Sequence, residues 1–94
     1  MNREEAITIL RERIKRLRNL SYRELLFFRD NPTAEEVIAP SGQAYQIEVD
    51  ALWDDRPDSD LRVIAAIDDG RLFSMPLVQD FMISPDGTIV GEVK

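Results

Sequence analysis

The stretch Ala44-Tyr45-Gln46-Ile47-Glu48-Val49-Asp50-Ala51-Leu52-Trp53-Asp54 decides the fold. Tyr45, Ile47, Val49, Ala51 and Trp53 recur at every second position, with Gln46, Glu48 and Asp50 between them. A period of two is that of an extended chain whose side chains alternate between faces. One apolar and one polar face call for a sheet that is covered on one side and wet on the other, which antiparallel strands provide.

Downstream, Asp55-Arg56-Pro57-Asp58-Ser59 is turn chemistry. Leu61 to Ile67 then reads as a second strand, apolar at Leu61, Val63, Ala65 and Ile67. Ile64 and Ala66 make its other face apolar too, which places it centrally in the sheet. Asp68-Asp69-Gly70 predicts a tight hairpin turn. Arg71 to Met75 predicts a returning strand stopped by Pro76. Phe81-Met82-Ile83 and Thr88-Ile89-Val90 predict a last hairpin around Ser84-Pro85-Asp86-Gly87, where Pro presets the turn and Gly supplies positive φ.

Upstream, Pro40-Ser41-Gly42 reads as a turn. The residues before it are ambiguous: Thr33 and Glu36 suit another helical cap, while Val37-Ile38-Ala39 suits a strand, and the strand from Glu35 to Ala39 is favoured. Further back the period becomes helical. Asn2 with Glu5 forms a cap, and Glu4, Glu5 at one end and Arg13, Lys15, Arg16, Arg18 at the other match the helix dipole. Ile7, Leu10, Ile14 and Leu17 form its apolar stripe, with Ile9 off it.

Ser21-Tyr22-Arg23-Glu24 is a second capping box, with Leu20 and Leu25 as its hydrophobic staple. A break near Asn19 to Ser21 and a second helix over Tyr22 to Arg29 follow; the competing reading is one bent helix from Arg3 to Arg29. Leu25-Leu26-Phe27-Phe28 predicts a mostly buried second helix, which Asp30-Asn31-Pro32 ends.

The expected fold is α+β: two N-terminal helices packed on one face of a four- or five-stranded antiparallel meander sheet. Residues 1–94 are read as a single domain, with a helical arm at 1–29 and the sheet at 35–92.

Residues 43–92 also resemble a group of small uncharacterised bacterial domains of unknown function. The matching features are Tyr45-Gln46-Ile47-Glu48-Val49, Trp53-Asp54-Asp55, Arg62-Val63-Ile64, Ile67-Asp68-Asp69-Gly70, Met75-Pro76-Leu77, Phe81-Met82-Ile83 and the run Pro85 to Glu92. Most are turn and core positions. The resemblance implies no activity and no catalytic or ligand residues.

Composition narrows the chemistry. The chain has 94 residues, 12 basic and 18 acidic, a formal charge of −6, and neither His nor Cys. Without His it lacks the commonest neutral-pH base and metal ligand; without Cys it has no disulfide, thiolate site or thiol nucleophile. The expectation is a protein that is not an enzyme and carries no cofactor. No run of apolar residues is long enough for a membrane span, and the first residues do not resemble a secretory signal, so the cytoplasm is the default location.

The net charge conceals a split. Residues 1–29 hold eight basic and four acidic side chains (+4); residues 30–94 hold four and fourteen (−10). Asp54, Asp55, Asp58 and Asp60 cluster in one loop. Hard cations want converging carboxylates, but this run lacks the glycine and closing glutamate of an EF-hand loop and Pro57 interrupts it; it reads first as a solvated turn. Asp68 and Asp69 fall at the other end of the strand, about 20 Å away at ~3.3 Å per residue.

Arg11, Arg13, Lys15, Arg16 and Arg18 could meet phosphates, but Glu12 interrupts them and no nucleic-acid-binding motif accompanies them. The stripe Ile7, Leu10, Ile14 and Leu17 packs on its own sheet or, in the competing reading, pairs two copies into a homodimer. Phe73 and Phe81 read as core. Trp53, at a strand end beside the acidic loop, reads as core or as an exposed anchor.

The leading expectation is a non-enzymatic protein-binding module, with Glu48, Asp50, Trp53, Asp54, Asp55, Asp58 and Asp60 facing a basic protein partner. The alternatives are a divalent-metal-binding protein or enzyme built on carboxylates alone, and nucleic-acid contact through the basic helix.

Overall fold

The computed structural model describes residues 1–71 and 75–91. Its elements are α1 (Arg3–Arg18), α2 (Tyr22–Asp30), β1 (Thr33–Ile38), β2 (Ala44–Trp53), β3 (Leu61–Asp68) and β4 (Leu77–Ile83). The strands form one antiparallel sheet in the order β1-β2-β3-β4. Both helices lie on one face of it, α1 over β3 and β4 and α2 over β2 and β3. The chain is therefore a two-layer α+β fold with an open meander sheet.

The helix starts follow the local chemistry. The Asn2 side chain accepts from the Glu5 N–H at 3.2 Å. At Ser21 the box is reciprocal: its hydroxyl accepts from the Glu24 N–H and its own N–H donates to Glu24 Oε1, each at 3.0 Å. A break between two helices results, with Leu20 packed on the core and Leu25 fully buried.

The α1 stripe is the expected one at Leu10, Ile14 and Leu17, with Ala6 in place of Ile7 at its start. Ala6, Leu10, Ile14 and Leu17 are buried and Ile9 packs against them, while Ile7 is only half-buried. The stripe is covered by the chain's own strands, the first of the two fates considered, so it offers no surface for pairing two copies. The second helix is less buried than its sequence suggests: Leu25 alone is buried, and Phe27 is 58% exposed with its ring edge-on to Phe28. A helix of nine residues over only two strands covers a single stripe.

In the sheet, β2 buries Tyr45, Ile47, Val49 and Ala51, and β3 buries Leu61, Val63, Ala65 and Ile67. Directly paired residues share a face, so Phe81 and Ile83 of β4 join them opposite Val63 and Leu61. The ambiguous segment is a strand and begins at Thr33. The turn after it holds Gly42 at φ +91, with the Gly42 N–H donating to Ala39 O at 2.8 Å.

Two expectations require correction. The strand expected over Arg71 to Met75 is not found at either end: Arg71 and Met75 lie outside strands, and residues 72–74, Phe73 included, are outside the described residues. The fourth strand instead follows Pro76, pairing Leu77 with Ile67. Asp68-Asp69-Gly70 is accordingly not a tight hairpin but the start of a longer connection. Asp68 Oδ1 accepts from the Gly70 N–H at 2.7 Å and Asp69 Oδ1 from the Arg71 N–H at 3.1 Å, which turns the chain aside before the ladder can close. The last hairpin does form around Gly87, but among the described residues its second arm makes a single bridge, Ile83 to Ile89.

Candidate protein-binding face

Strand register specifies what the uncovered face of the sheet displays. Glu48 lies between Ala34 and Ala66, and Ala66 beside Val78; Asp50 is opposite Ile64, which is opposite Asp80; Leu52 is opposite Arg62, which is opposite Met82. Towards the other end, Gln46 lies between Glu36 and Asp68, and Ile38 beside Ala44. Four strands at about 4.8 Å make this face about 14 Å wide.

The apolar members are incompletely covered. Ile38, Leu52 and Val78 are 60%, 44% and 55% exposed, and Ile64 and Met82 are half-buried. Five carboxylates, Glu36, Glu48, Asp50, Asp68 and Asp80, stand among them with one cation, Arg62. Arg62 donates to Asp80 Oδ2 at 2.5 Å and to Asp54 Oδ1 at 3.3 Å, and these two carboxylates hold the guanidinium more firmly protonated than usual. Asp50 Oδ1 accepts from the Ala51 N–H at 2.7 Å and Asp68 Oδ1 is committed to its turn. Glu36 and Glu48 make no ion pair among the described residues. The face thus interleaves apolar and charged side chains, with Ile64 set between Asp50 and Asp80, and carries a net negative charge.

Of the residues read from the sequence, Glu48 and Asp50 lie in the middle of this face, and Asp54 meets its edge through Arg62. Asp55 and Asp58 are exposed in the adjoining loop, where Asp58 has φ +66. Asp60 is half-buried and closes the loop, its carbonyl accepting from the Asp54 N–H at 2.8 Å. Among the described residues no three acidic side chains converge as a metal site requires.

Trp53 belongs to the other face. It is paired with buried Leu61, its Nε1–H donates to the Tyr22 hydroxyl at 3.3 Å, and the Arg29 guanidinium lies 3.6 Å from its ring centroid. Tyr22 donates in turn to the Ser59 carbonyl at 2.6 Å, so Trp53 and Tyr22 pin the acidic loop to α2. An aromatic that ties a loop to a helix holds the site in shape without forming part of its surface.

Sequence reading missed Arg62, Asp80, Leu52, Ile64 and Met82 as members of one surface. The alternation of β2 and β3 carried the signal for Leu52, Arg62 and Ile64. Asp80 and Met82 needed the position of β4.

The basic residues of α1 are divided. Arg13 pairs with Glu35 on β1, Arg16 is exposed, and Arg11, Lys15 and Arg18 line a groove of about 490 Å³ beside β4. No helix among the described residues is long and apolar enough to cross a membrane. No protein-family model, curated protein or solved structure matches the chain.

Proposed function

We propose that the protein is a non-enzymatic binding module of the cytoplasm whose open sheet face docks a basic protein surface. One observation carries this reading: the uncovered face sets exposed Leu52 and Val78 and half-buried Ile64 and Met82 among five carboxylates and one arginine. Apolar side chains interleaved with an excess of carboxylates offer a basic protein surface both apolar contact and charge complementarity. The face alone spans about 14 by 26 Å, roughly half the ~800 Å² that a standard interface buries per partner. The Asp54–Asp60 loop, pinned alongside it, supplies further contact area. Like charge argues against a second copy of this chain as occupant, since its carboxylates would oppose their equivalents.

Immobilised wild-type protein and two variants test the proposal by capture from native lysate at low and moderate salt. Glu48→Gln/Asp50→Asn removes charge from the open face; Glu12→Gln, on α1, is the control. The proteins captured by wild type should be basic, should be retained by the control and should be lost from the face variant. An unchanged capture by the face variant refutes this surface.

A further inference from the structure

Rows across the open face mix charged and apolar side chains, but its diagonals sort them. Leu52 on β2, Ile64 on β3 and Val78 on β4 each step one strand sideways and two residues along the ladder. Ile64 is opposite Asp50, and Val78 is opposite Ala66, which is opposite Glu48. With strands about 4.8 Å apart and alternate residues about 6.8 Å apart, neighbours on this line are about 8 Å apart and the line is about 17 Å long. Leu52 and Val78 are exposed and Ile64 is half-buried.

The two flanks of the line differ in charge. Towards β1, the next diagonal holds Asp50 and Ala66, and the one beyond it Glu48 and Asp68. Arg62 is the one cation of the four strands, and it stands on the other flank. There the next diagonal holds Arg62 and Asp80, which are bonded to each other at 2.5 Å, and the one beyond it Met82. The face is therefore an apolar line with unbalanced negative charge along one flank only.

A segment seated on the face of a sheet meets side chains and no backbone partners. It must satisfy its own N–H and C=O groups, as a helix does. Three turns of helix span about 16 Å, which matches the line, and a helix with its side chains is about 10–12 Å across, within the ~14 Å width of the face. Projected on the line, Asp50 and Glu48 fall about 5.5 Å apart, which is one helical turn. Cations one turn apart on one edge of such a helix would meet both carboxylates.

We propose that the partner docks on this face through an amphipathic helix of about three turns, apolar along one stripe and basic on one flank only, which lies on Leu52, Ile64 and Val78 with its cations over Asp50 and Glu48. The inference rests on the reading of the open face as a protein-binding surface and names the element it receives. Burial of the line holds the helix, and the one-sided charge sets its direction, because a reversed helix would carry its cations to Arg62. A second copy of this chain is disfavoured as the source of that helix. Its basic helix is α1, whose apolar stripe is already buried against its own strands.

The test uses fluorescence anisotropy and far-ultraviolet circular dichroism at low salt with the full chain. The probes are three labelled peptides of one composition, Leu, Lys, Ala and Gln. The first sets Lys on one flank of a Leu stripe at helical spacing, the second divides the same Lys residues between both flanks, and the third alternates Leu and Lys with a period of two. The one-flank peptide should bind most tightly, and because so short a helix is marginal in water it should gain helicity on binding. Glu48→Gln/Asp50→Asn should weaken it about ten-fold, as expected for two exposed ion pairs lost together, and Leu52→Ser should weaken it as well. Equal or tighter binding of either other peptide, binding without a gain in helicity, or no binding of the one-flank peptide overturns the proposal. If all three peptides bind equally and all are weakened by Glu48→Gln/Asp50→Asn, the helix is refuted and the face stands. If that variant changes neither peptide binding nor capture from lysate, the face falls with it.

Discussion

Replacing Tyr45 with Phe tests how α1 is anchored to the sheet. Tyr45 is 1% exposed on the helix face of β2, and its hydroxyl donates to Glu5 Oε1 at 2.9 Å. The ring stays and only the hydroxyl is lost, so no cavity forms. A hydrogen bond to a charged group contributes about 1.5–3 kcal/mol. Ser41 Oγ donates to the same Glu5 oxygen at 2.7 Å and keeps it partnered, which places Tyr45→Phe at the lower end, about 1.5 kcal/mol. For a domain of this size that is a fall in Tm of roughly 6–12 °C at neutral pH.

The pH dependence adds a second signature. Burial first, then the bond to Glu5 and the charges of Glu5 and Asp69, push the Tyr45 hydroxyl above its ordinary value of 10.0. A group whose folded value is raised contributes fully below its unfolded value and loses that contribution as pH rises through the folded one. Wild type should therefore lose stability above about pH 10 and Tyr45→Phe should lose less, closing the gap between them. Thermal melts of both proteins over a pH series measure this. Equal Tm at neutral pH, or a gap that stays constant through the alkaline range, would show that the hydroxyl does not anchor α1.

The other predictions concern the core, the cap and the loop. Leu10→Ala, at 1% exposure under α1, should cost about 3 kcal/mol by denaturant unfolding, whereas Leu52→Ser on the open face should stay within about 0.5. Ser21→Ala should cost about 1 kcal/mol through loss of the α2 cap. The Ser21 backbone and then its hydroxyl lower the Glu24 carboxyl below its ordinary 4.5, so the cap should hold above that pH and weaken as pH falls through the lowered value, read by helical circular dichroism against Ser21→Ala. Arg29→Ala should shift Trp53 fluorescence by uncovering the ring, and should leave capture by the Glu48–Asp50 face unchanged.

Where sequence reading succeeded, each level agreed with the next. The alternation of Ala44 to Asp54 and the two cap signatures act over a few residues, so local chemistry alone determines them. It failed where two signals were weak at once. Pro76 suggests a stop but precedes β4, and in Leu77-Val78-Gln79-Asp80 the inward Gln79 and outward Val78 invert the usual alternation. Gln79 is tolerated inward because it faces the α1 groove at the sheet edge rather than the core. The candidate face was half legible for the same reason. Glu48 and Asp50 follow from the phase of β2, but their alignment with Ile64, Asp80 and Arg62 is a property of register, which no single strand contains. Trp53 was ambiguous because a strand-end aromatic faces a side set by parity, and parity here puts it under Arg29.

The central claim is that the open sheet face meets the partner. Hydroxyl-radical footprinting of the protein, free and in complex with its captured partner, tests it most directly, because the open face carries Leu52 and Met82 while Phe27 is exposed on the helix layer. The account predicts that Leu52 and Met82 become protected in the complex and Phe27 stays reactive. Protection of Phe27 with Leu52 and Met82 unchanged would contradict it.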